Sequence, residues 1–328
     1  MTSLRNRFSR RGRTRAAGAN GVEANAAGSA RAGVRTRGAA LGVALALALG
    51  TVGCGHDDDD FDPDLYAVEF ADSTFVAVGD DDTIANSADG ESFFLQVVGG
   101  FGSLLDVTFG DGTWVAAGED GIVFTSTDSA VWFAQFLPTG ATLRGTAFGD
   151  DTYVLVGDGG IAFVSPNAGA WEEVDTPTND RLEAVTHGRG RFVAVGDEGT
   201  ILVSGDGFDW DAAESGTTEA LFGVRHLGGR FIALGTGGTI LTSIDGFDWT
   251  EEDSTTNVTL FDAAFAEGLF VVVGNDGTIL TSPDAIEFTQ VDSGISRDLD
   301  AVTYGDGLFV AVGAKATILN SDDGIDWF

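Results

Sequence analysis

The sequence predicts an all-β fold, a seven-bladed β-propeller whose blades are four-stranded antiparallel sheets. The composition favours this class, because 48 glycines, 24 phenylalanines and only five prolines in 328 residues are typical of many short strands joined by tight turns. The chain also repeats every 39 residues, and each copy divides into four strand-like segments. Seven copies of about 40 residues each are typical of a propeller.

The repeat is marked by a leucine that recurs without insertion or deletion. It stands at Leu65, Leu104, Leu143, Leu182, Leu221, Leu260 and Leu299. We therefore predict a propeller domain over residues 65–328, with one blade beginning at each leucine. An open solenoid is the weaker alternative, because four alternating strands with hairpin turns make a blade and not a coil. A WD-type propeller is disfavoured, because its Gly-His and Trp-Asp signatures do not recur.

The four segments differ in their hydrophobic pattern. In the last copy LDAVTY alternates, LFVAVG is continuously apolar, TILNS is mixed and IDWF opens the fourth segment. A continuously apolar strand is typical of one covered on both faces, so we expect the second strand of each blade to lie between neighbouring sheets. The hairpin after it carries glycine in copies two to six, which supplies the positive φ that a tight two-residue hairpin requires, so we expect two-residue turns here. Copies one and seven have Asp81-Asp82 and Lys315-Ala316 instead.

The turn between the third and fourth segments has the pattern Ser-x-Asp-x-x-x-aromatic in six copies, and asparagine replaces the aspartate in copy three. The pairs are Ser87 and Asp89, Ser126 and Asp128, Ser165 and Asn167, Ser204 and Asp206, Ser243 and Asp245, Ser282 and Asp284, and Ser321 and Asp323. A short carboxylate accepts hydrogen bonds from backbone N–H groups just ahead of it, so we interpret the pattern as a structural turn. Catalysis needs one asymmetric site and not seven equivalent ones. A cation-binding loop is the alternative, although the uncharged Asn167 speaks against it.

This turn resembles the Asp-box of the bacterial neuraminidase repeat family, although it is one residue shorter than that family's usual Ser-x-Asp-x-Gly-x-Thr-Trp. Together with the VGxxGTI segments, the chain from Leu65 onward also resembles the photosystem II stability and assembly factor family of propellers. These resemblances imply the fold and leave the function open, because such repeats occur in enzymes and in assembly factors. Sialidases hold a carboxylate substrate with three arginines and use a tyrosine paired with a glutamate. They also carry a Phe/Tyr-Arg-Ile-Pro segment, which is absent here. We expect no enzyme and assign no catalytic residue.

The N-terminus predicts export. An arginine-rich stretch leads into the apolar run AALGVALALALGTVG at residues 39–53, which is too short to span a membrane comfortably. The only cysteine, Cys54, follows directly and resembles the acylated cysteine of bacterial lipoproteins, although Thr51 stands where leucine is usual. We predict a signal over residues 1–53, lipidation of Cys54 and an acidic tether over residues 54–64. An outer-membrane or cell-surface lipoprotein follows, and a periplasmic or secreted protein is the alternative.

The charge of the mature region limits the possible partners. From Cys54 onward the chain carries 8 basic and 50 acidic residues, a formal net charge of −42. So negative a surface repels nucleic acid and anionic lipid, so we expect no nucleic-acid partner and membrane contact only through the lipid anchor. No cofactor or metal pattern is evident. His187 and His226 stand where other copies have phenylalanine or tyrosine, and we interpret them as packed substitutes for an aromatic ring and not as a metal pair.

The hairpins between the second and third strands should ring the central opening with acids. These are Asp80, Asp81, Asp82, Glu119, Asp120, Asp158, Asp197, Glu198 and Asp276. This face is the predicted binding surface, where a protein partner or an extracellular ligand could dock. The sequence thus predicts an exported, monomeric, non-catalytic binding or assembly scaffold at the cell envelope. A glycan-binding or glycan-hydrolysing protein, similar to a sialidase, is the alternative.

Overall fold

The computed structural model describes residues 62–328, so the predicted signal and Cys54 lie outside the described residues. Seven antiparallel sheets are arranged around a central channel, and the first strand of each lies innermost. These strands are β1 (Leu65–Ala71), β5 (Leu104–Gly110), β9 (Leu143–Gly149), β13 (Leu182–Gly188), β17 (Leu221–Leu227), β21 (Leu260–Ala266) and β25 (Leu299–Gly305). The seven sheets are blades one to seven, which confirms the predicted propeller.

The second and third strands form the body of every blade. The second strands are β2 (Thr74–Gly79), β6 (Thr113–Gly118), β10 (Thr152–Gly157), β14 (Arg191–Gly196), β18 (Arg230–Gly235), β22 (Leu269–Gly274) and β26 (Leu308–Gly313). The third strands are β3 (Thr83–Ser87), β7 (Ile122–Ser126), β11 (Ala162–Ser165), β15 (Ile201–Ser204), β19 (Ile240–Ser243), β23 (Thr278–Ser282) and β27 (Thr317–Ser321). The apolar second strands pack between neighbouring blades; Val76 and Val78, for example, lie in one cluster with Trp114 of blade two.

Six blades have a fourth, outer strand. These strands are β4 (Phe94–Val97), β8 (Phe133–Phe136), β12 (Glu172–Val174), β16 (Trp210–Ala213), β20 (Thr250–Glu252) and β24 (Thr289–Val291). In blade seven only Phe328 pairs with the third strand, through two hydrogen bonds to Asn320. No helix within residues 62–328 is long and apolar enough to cross a membrane.

In blades one to six the hairpins between second and third strands are three-residue 3-10 turns, not the two-residue turns that we expected. They span Asp80–Asp82, Glu119–Gly121, Asp158–Gly160, Asp197–Gly199, Thr236–Gly238 and Asn275–Gly277. In the fourth of them Glu198 and Gly199 have φ of 55° and 72°. Both values lie in the left-handed region, which favours glycine, and glycine occupies the second of the two positions. A Cβ at Gly199 would meet the carbonyl oxygen of Thr217 at 2.3 Å, so the neighbouring loop also requires glycine there.

Blades one and seven close the ring through residues that precede the first strand. The Ala316 N–H donates to the Pro63 carbonyl at 2.7 Å, and the Lys315 N–H donates to the Asp64 carboxylate at 2.8 Å. The Asp82 N–H makes the equivalent bond to Gly102, at 2.6 Å, between blades one and two. Pro63 and Asp64, the last residues of the predicted tether, thus stand where an inter-blade loop stands elsewhere.

Candidate functional site

Every innermost strand carries a β-bulge at its second residue. In blade one, for example, Leu65 pairs with Gly79 and Ala67 pairs with Val78, so Tyr66 has no partner in the register. Bulges turn a side chain away from the regular pleat and are common beside functional sites. Here they direct seven side chains into the channel, and all seven line one cavity. This mouth ring consists of Tyr66, Leu105, Arg144, Glu183, Phe222, Phe261 and Asp300.

The floor of the cavity is an ionic bridge across the channel. Arg225 of blade five donates from Nε and Nη2 to both carboxylate oxygens of Asp262, at 2.7 and 2.9 Å. Its Nη1 lies 3.6 Å from the Glu69 carboxylate of blade one, which is not a neighbour of blade five in the ring. A contact between non-neighbouring blades crosses the channel, and Arg225 and Asp262 of this bridge line a cavity of about 190 Å³ together with the mouth ring.

The carboxylates of the floor also join neighbouring blades. Asp106 of blade two accepts hydrogen bonds from the backbone N–H and the hydroxyl of Thr146 in blade three, at 2.7 and 3.1 Å. Asp262 of blade six likewise accepts from the N–H of Val302 in blade seven, at 3.1 Å. Burial raises the pKa of Asp106 to about 6 and that of Glu69 to about 7, although Arg225 opposes both shifts.

One part of the mouth ring, the paired half, is Leu105, Arg144 and Glu183. Arg144 Nε lies 2.6 Å from Asp158, and its Nη1 lies 3.3 Å from Glu183. Glu183 also contacts Arg181 at 2.9 Å, and Arg181 contacts Asp197 at 3.1 Å. Arg144 and Arg181 are therefore both paired with carboxylates, and neither guanidinium is free to bind an anionic ligand.

The other part, the aromatic half, is Phe222, Phe261, Asp300 and Tyr66 of the four consecutive blades five, six, seven and one. The rings of Phe222 and Phe261 meet edge to face with centroids 5.7 Å apart. The Tyr66 hydroxyl donates to Asp80 at 2.8 Å. Within residues 62–328 no hydrogen bond or ion pair reaches the Asp300 carboxylate. Its burial and the nearby charges of Asp298 and Asp64 raise the pKa of Asp300 to about 7.

The predicted acidic face has three kinds of position in the structure. The first hairpin residues Asp80, Asp158 and Asp197 lie beside the mouth ring and bind its members or Arg181. The hairpin tips are exposed to solvent, and these are Asp81, Asp120, Glu198 and Asp276, together with Glu119. Asp82 does not belong to this surface, because it is fully buried and accepts hydrogen bonds from the N–H groups of Gly100 and Phe101.

The Ser-x-Asp turns lie at the opposite end of the blades from the hairpins. In blade five the Asp245 carboxylate accepts from the N–H groups of Phe247 and Asp248, at 2.9 and 3.0 Å, while Ser243 Oγ accepts from Gly246 at 2.8 Å. These backbone hydrogen bonds hold the pKa of Asp245 below its usual range. In blade three Asn167 accepts from the same two positions, at 3.0 and 3.4 Å. These hydrogen bonds are those of the predicted structural turn, and asparagine makes them as well as aspartate.

The two histidines pack against aromatic rings. The His187 ring lies 4.7 Å from that of Phe192, and the His226 ring lies 4.9 Å from that of Phe231. His187 Nε2 is 3.1 Å from the Asp150 carboxylate. No group of three or more histidine, cysteine or acidic side chains within residues 62–328 has the arrangement of a metal site.

A second exposed surface, the apolar wall, lies on the outer edge of blades one and two. Phe94, Phe133 and Phe136 of the outer strands are each at least 60% exposed, and Phe101 stacks edge to face on Phe136 at 5.2 Å. The sequence pattern predicted neither this surface nor the mouth ring. A signal for the ring was available, because the residue after each constant repeat leucine is different in nearly every copy.

The mouth ring and the cavity floor together contain two arginines, Arg144 and Arg225, and a tyrosine, Tyr66, which are the residue types a sialidase uses. The arginines are each bound to carboxylates, so they do not present a free site for a substrate carboxylate. Tyr66 is an unsuitable nucleophile, because burial and its hydrogen bond to Asp80 raise the pKa of its phenol well above the usual range. The geometry is therefore unfavourable to this chemistry.

No protein-family model matches the chain, and no curated protein sequence matches it either. Solved structures do match. YCF48 from Cyanidioschyzon merolae is 17% identical, with 79% of this chain and 95% of that chain covered and a TM-score of 0.63. A structure of YCF48 bound to D1 peptide is also 17% identical, with 79% and 93% covered and a TM-score of 0.64.

The computationally designed Ika8 protein is a third structural match, 14% identical, with 78% of this chain and 95% of that chain covered and a TM-score of 0.57. Identities this low carry information about the fold alone. The two YCF48 matches support the predicted similarity to assembly-factor propellers at that level, and the relation of the Ser-x-Asp turns to the neuraminidase repeat stays a prediction. The chain is a β-propeller whose fold is shared with YCF48.

Proposed function

We propose that this protein is a non-catalytic scaffold that binds a protein partner at the mouth of its central channel. The observation that carries the proposal is the mouth ring, seven unlike side chains that bulges direct into one cavity of an otherwise repetitive molecule. The arginines and carboxylates of the paired half and of the floor form ion pairs with one another. Groups held in this way suit the binding of a partner better than the transfer of protons to a substrate. The YCF48 structure bound to D1 peptide gives a precedent for peptide binding by a propeller of this fold.

The cellular setting that we propose is the bacterial cell envelope, with Cys54 as a lipid anchor. Support comes from the sequence, because an apolar run ends directly before the only cysteine of the chain. Metabolic labelling with a fatty-acid analogue tests this. We expect label on the wild type and none on Cys54→Ser; an unlabelled, exported wild type would instead support the secretory alternative.

Partner binding is tested by crosslinking and pull-down from intact envelopes. We expect Phe261→Ser, in the mouth ring, to lose the partners captured by the wild type, because it removes half of the aromatic contact pair. Phe133→Ser is the matched control, since it makes the same change on the apolar wall. Loss of partners with Phe133→Ser alone would place binding on the wall and contradict the proposal.

A further inference from the structure

The mouth ring is electrically asymmetric. In the paired half Arg144 is bound to Asp158 and Glu183, and in the floor Arg225 is bound to Asp262. In the aromatic half the carboxylate of Asp300 faces the cavity without a cationic partner among the described residues. An anionic ligand would therefore meet an unpaired carboxylate and no free cation. A cationic ligand would instead form an ion pair with Asp300, the one charged side chain of the mouth ring that has no partner among the described residues.

The side chains beside Asp300 suit a cation that carries an apolar stem. The rings of Phe222 and Phe261, in the two preceding blades, contact each other, and Tyr66 lies in the next blade. Aromatic faces attract ammonium and guanidinium groups, most strongly where water is partly excluded. The methylene groups of a lysine or arginine side chain also pack well on such rings while the charged end reaches a carboxylate.

The size of the cavity limits what enters. The cavity volume of about 190 Å³ exceeds the ~15 Å³ that one water molecule needs. It is smaller than the ~300–1,000 Å³ of pockets that enclose a drug-sized ligand. One extended side chain is a suitable occupant, and a folded segment is too large. From these observations, and resting on the proposed partner-binding function, we infer that the cavity receives a single lysine or arginine side chain of the partner, with its charge at Asp300.

The charge state of Asp300 makes this recognition depend on pH. The acidic groups that raise the pKa of Asp300 are Asp298 and Asp64. Tyr66 and Asp262 flank Asp300 on the neighbouring innermost strands. The titratable groups across the cavity are Asp106, Glu183, Arg144 and Arg225. Because the pKa of Asp300 is about 7, its carboxylate is protonated at low pH and cannot attract a cation. Affinity for a basic side chain should rise as the pH rises through about 7, while the lysine side chain itself, with a pKa of about 10.4, stays charged throughout this range.

The test uses the full-length protein and two short blocked peptides, acetyl-Gly-Lys-Gly-amide and its norleucine counterpart, which has the same stem without the charge. Binding is followed by calorimetry at about pH 8 and about pH 5.5. We expect a dissociation constant on the order of 1 mM for the lysine peptide at the higher pH, at least roughly tenfold weaker binding at the lower pH, and no binding of the norleucine peptide.

Two variants separate the cavity from general acidity. Asp300→Asn should weaken binding of the lysine peptide about tenfold or more, whereas Asp120→Asn, which removes one charge from an exposed hairpin tip on the same face, should change it less than about twofold. Equal losses in the two variants, or binding of the norleucine peptide, would overturn the inference.

The two proposals fail in different ways. If the lysine peptide does not bind but Phe261→Ser still loses its partners in the pull-down, the cavity chemistry is wrong and partner binding at the mouth stands. If free butylammonium binds at least about tenfold more tightly than the peptide, the cavity is a small-molecule site and the assignment to a partner side chain is wrong.

Discussion

Replacing Asp300 with asparagine should make the protein more stable at alkaline pH. The carboxylate has no hydrogen-bond or ion-pair partner within residues 62–328, and burial with two neighbouring acids raises its pKa to about 7. In the unfolded chain an aspartate has a pKa of about 3.9, so between about pH 4 and pH 7 the folded state binds a proton that the unfolded state releases. Stability contributed by this group is therefore lost as the pH rises through that window.

The size of the effect follows from the same difference. A shift of about three pKa units corresponds to roughly 4 kcal/mol at ~1.4 kcal/mol per unit. The cavity is open to solvent at the mouth, which screens the carboxylate, so we take this as a ceiling and expect roughly 1–3 kcal/mol. Asp300→Asn should thus exceed the wild type by that amount at about pH 8 and match it near pH 4, where the native carboxyl is protonated.

Urea denaturation followed by tryptophan fluorescence measures both quantities, since six tryptophans report on the blades. Asp120→Asn is the control, because it removes an exposed charge and should change the unfolding free energy by less than ~0.5 kcal/mol at either pH. Lower stability of Asp300→Asn than of the wild type at about pH 8, or an equal loss of stability in both proteins between about pH 5 and pH 8, would show that the native Asp300 carboxylate is not destabilising.

Two further changes test other parts of the structure. Arg225→Met leaves Glu69 and Asp262 without their cation, so we expect a loss of roughly 3–5 kcal/mol at about pH 8. The loss should be smaller at about pH 5, where Glu69, with a pKa of about 7, is protonated; an equal loss at both pH values would argue against the cross-channel bridge. Asp245→Ala removes two backbone hydrogen bonds, which at ~1 kcal/mol each should lower the melting temperature by roughly 2–6 °C. Asp245→Asn should lower it less, as Asn167 makes the same bonds in blade three, and an unchanged melting temperature in Asp245→Ala would contradict a structural role.

The repeat made the fold predictable. A residue that recurs at a constant interval has the same local neighbours in each copy, so one interpretation of a strand or turn applies seven times. The apolar second strands lie between blades as their pattern indicated, for example Val76 and Val78 against Trp114. The hairpin length was wrong by one residue, because the i to i+3 hydrogen bond from Thr200 to Asp197 closes a tighter turn inside a three-residue loop.

The site was much less predictable, because it consists of the residues in which the copies differ. Asp82 shows the difficulty: its sequence position is that of an exposed hairpin acid, yet the loop at Gly100 and Phe101 folds over it and donates two hydrogen bonds. The mouth ring depends on a bulge that follows each repeat leucine, and no residue type marks that bulge. The bulged residue is Tyr66 in blade one and Asp300 in blade seven.

The sequence by itself determined the blade count, the order of the strands and the positions of the turns between them, because these depend on local preferences and on a strict interval. Only the tertiary structure decided which side chains meet in the channel. Arg225 bridges to Glu69 because closing seven blades into a ring brings blades five and one to face each other, although they are far apart in the chain. Closure also places Asp300 in one cavity with Phe222 and Phe261, without a cationic partner among the described residues, and the inferred recognition of a basic side chain depends on that arrangement.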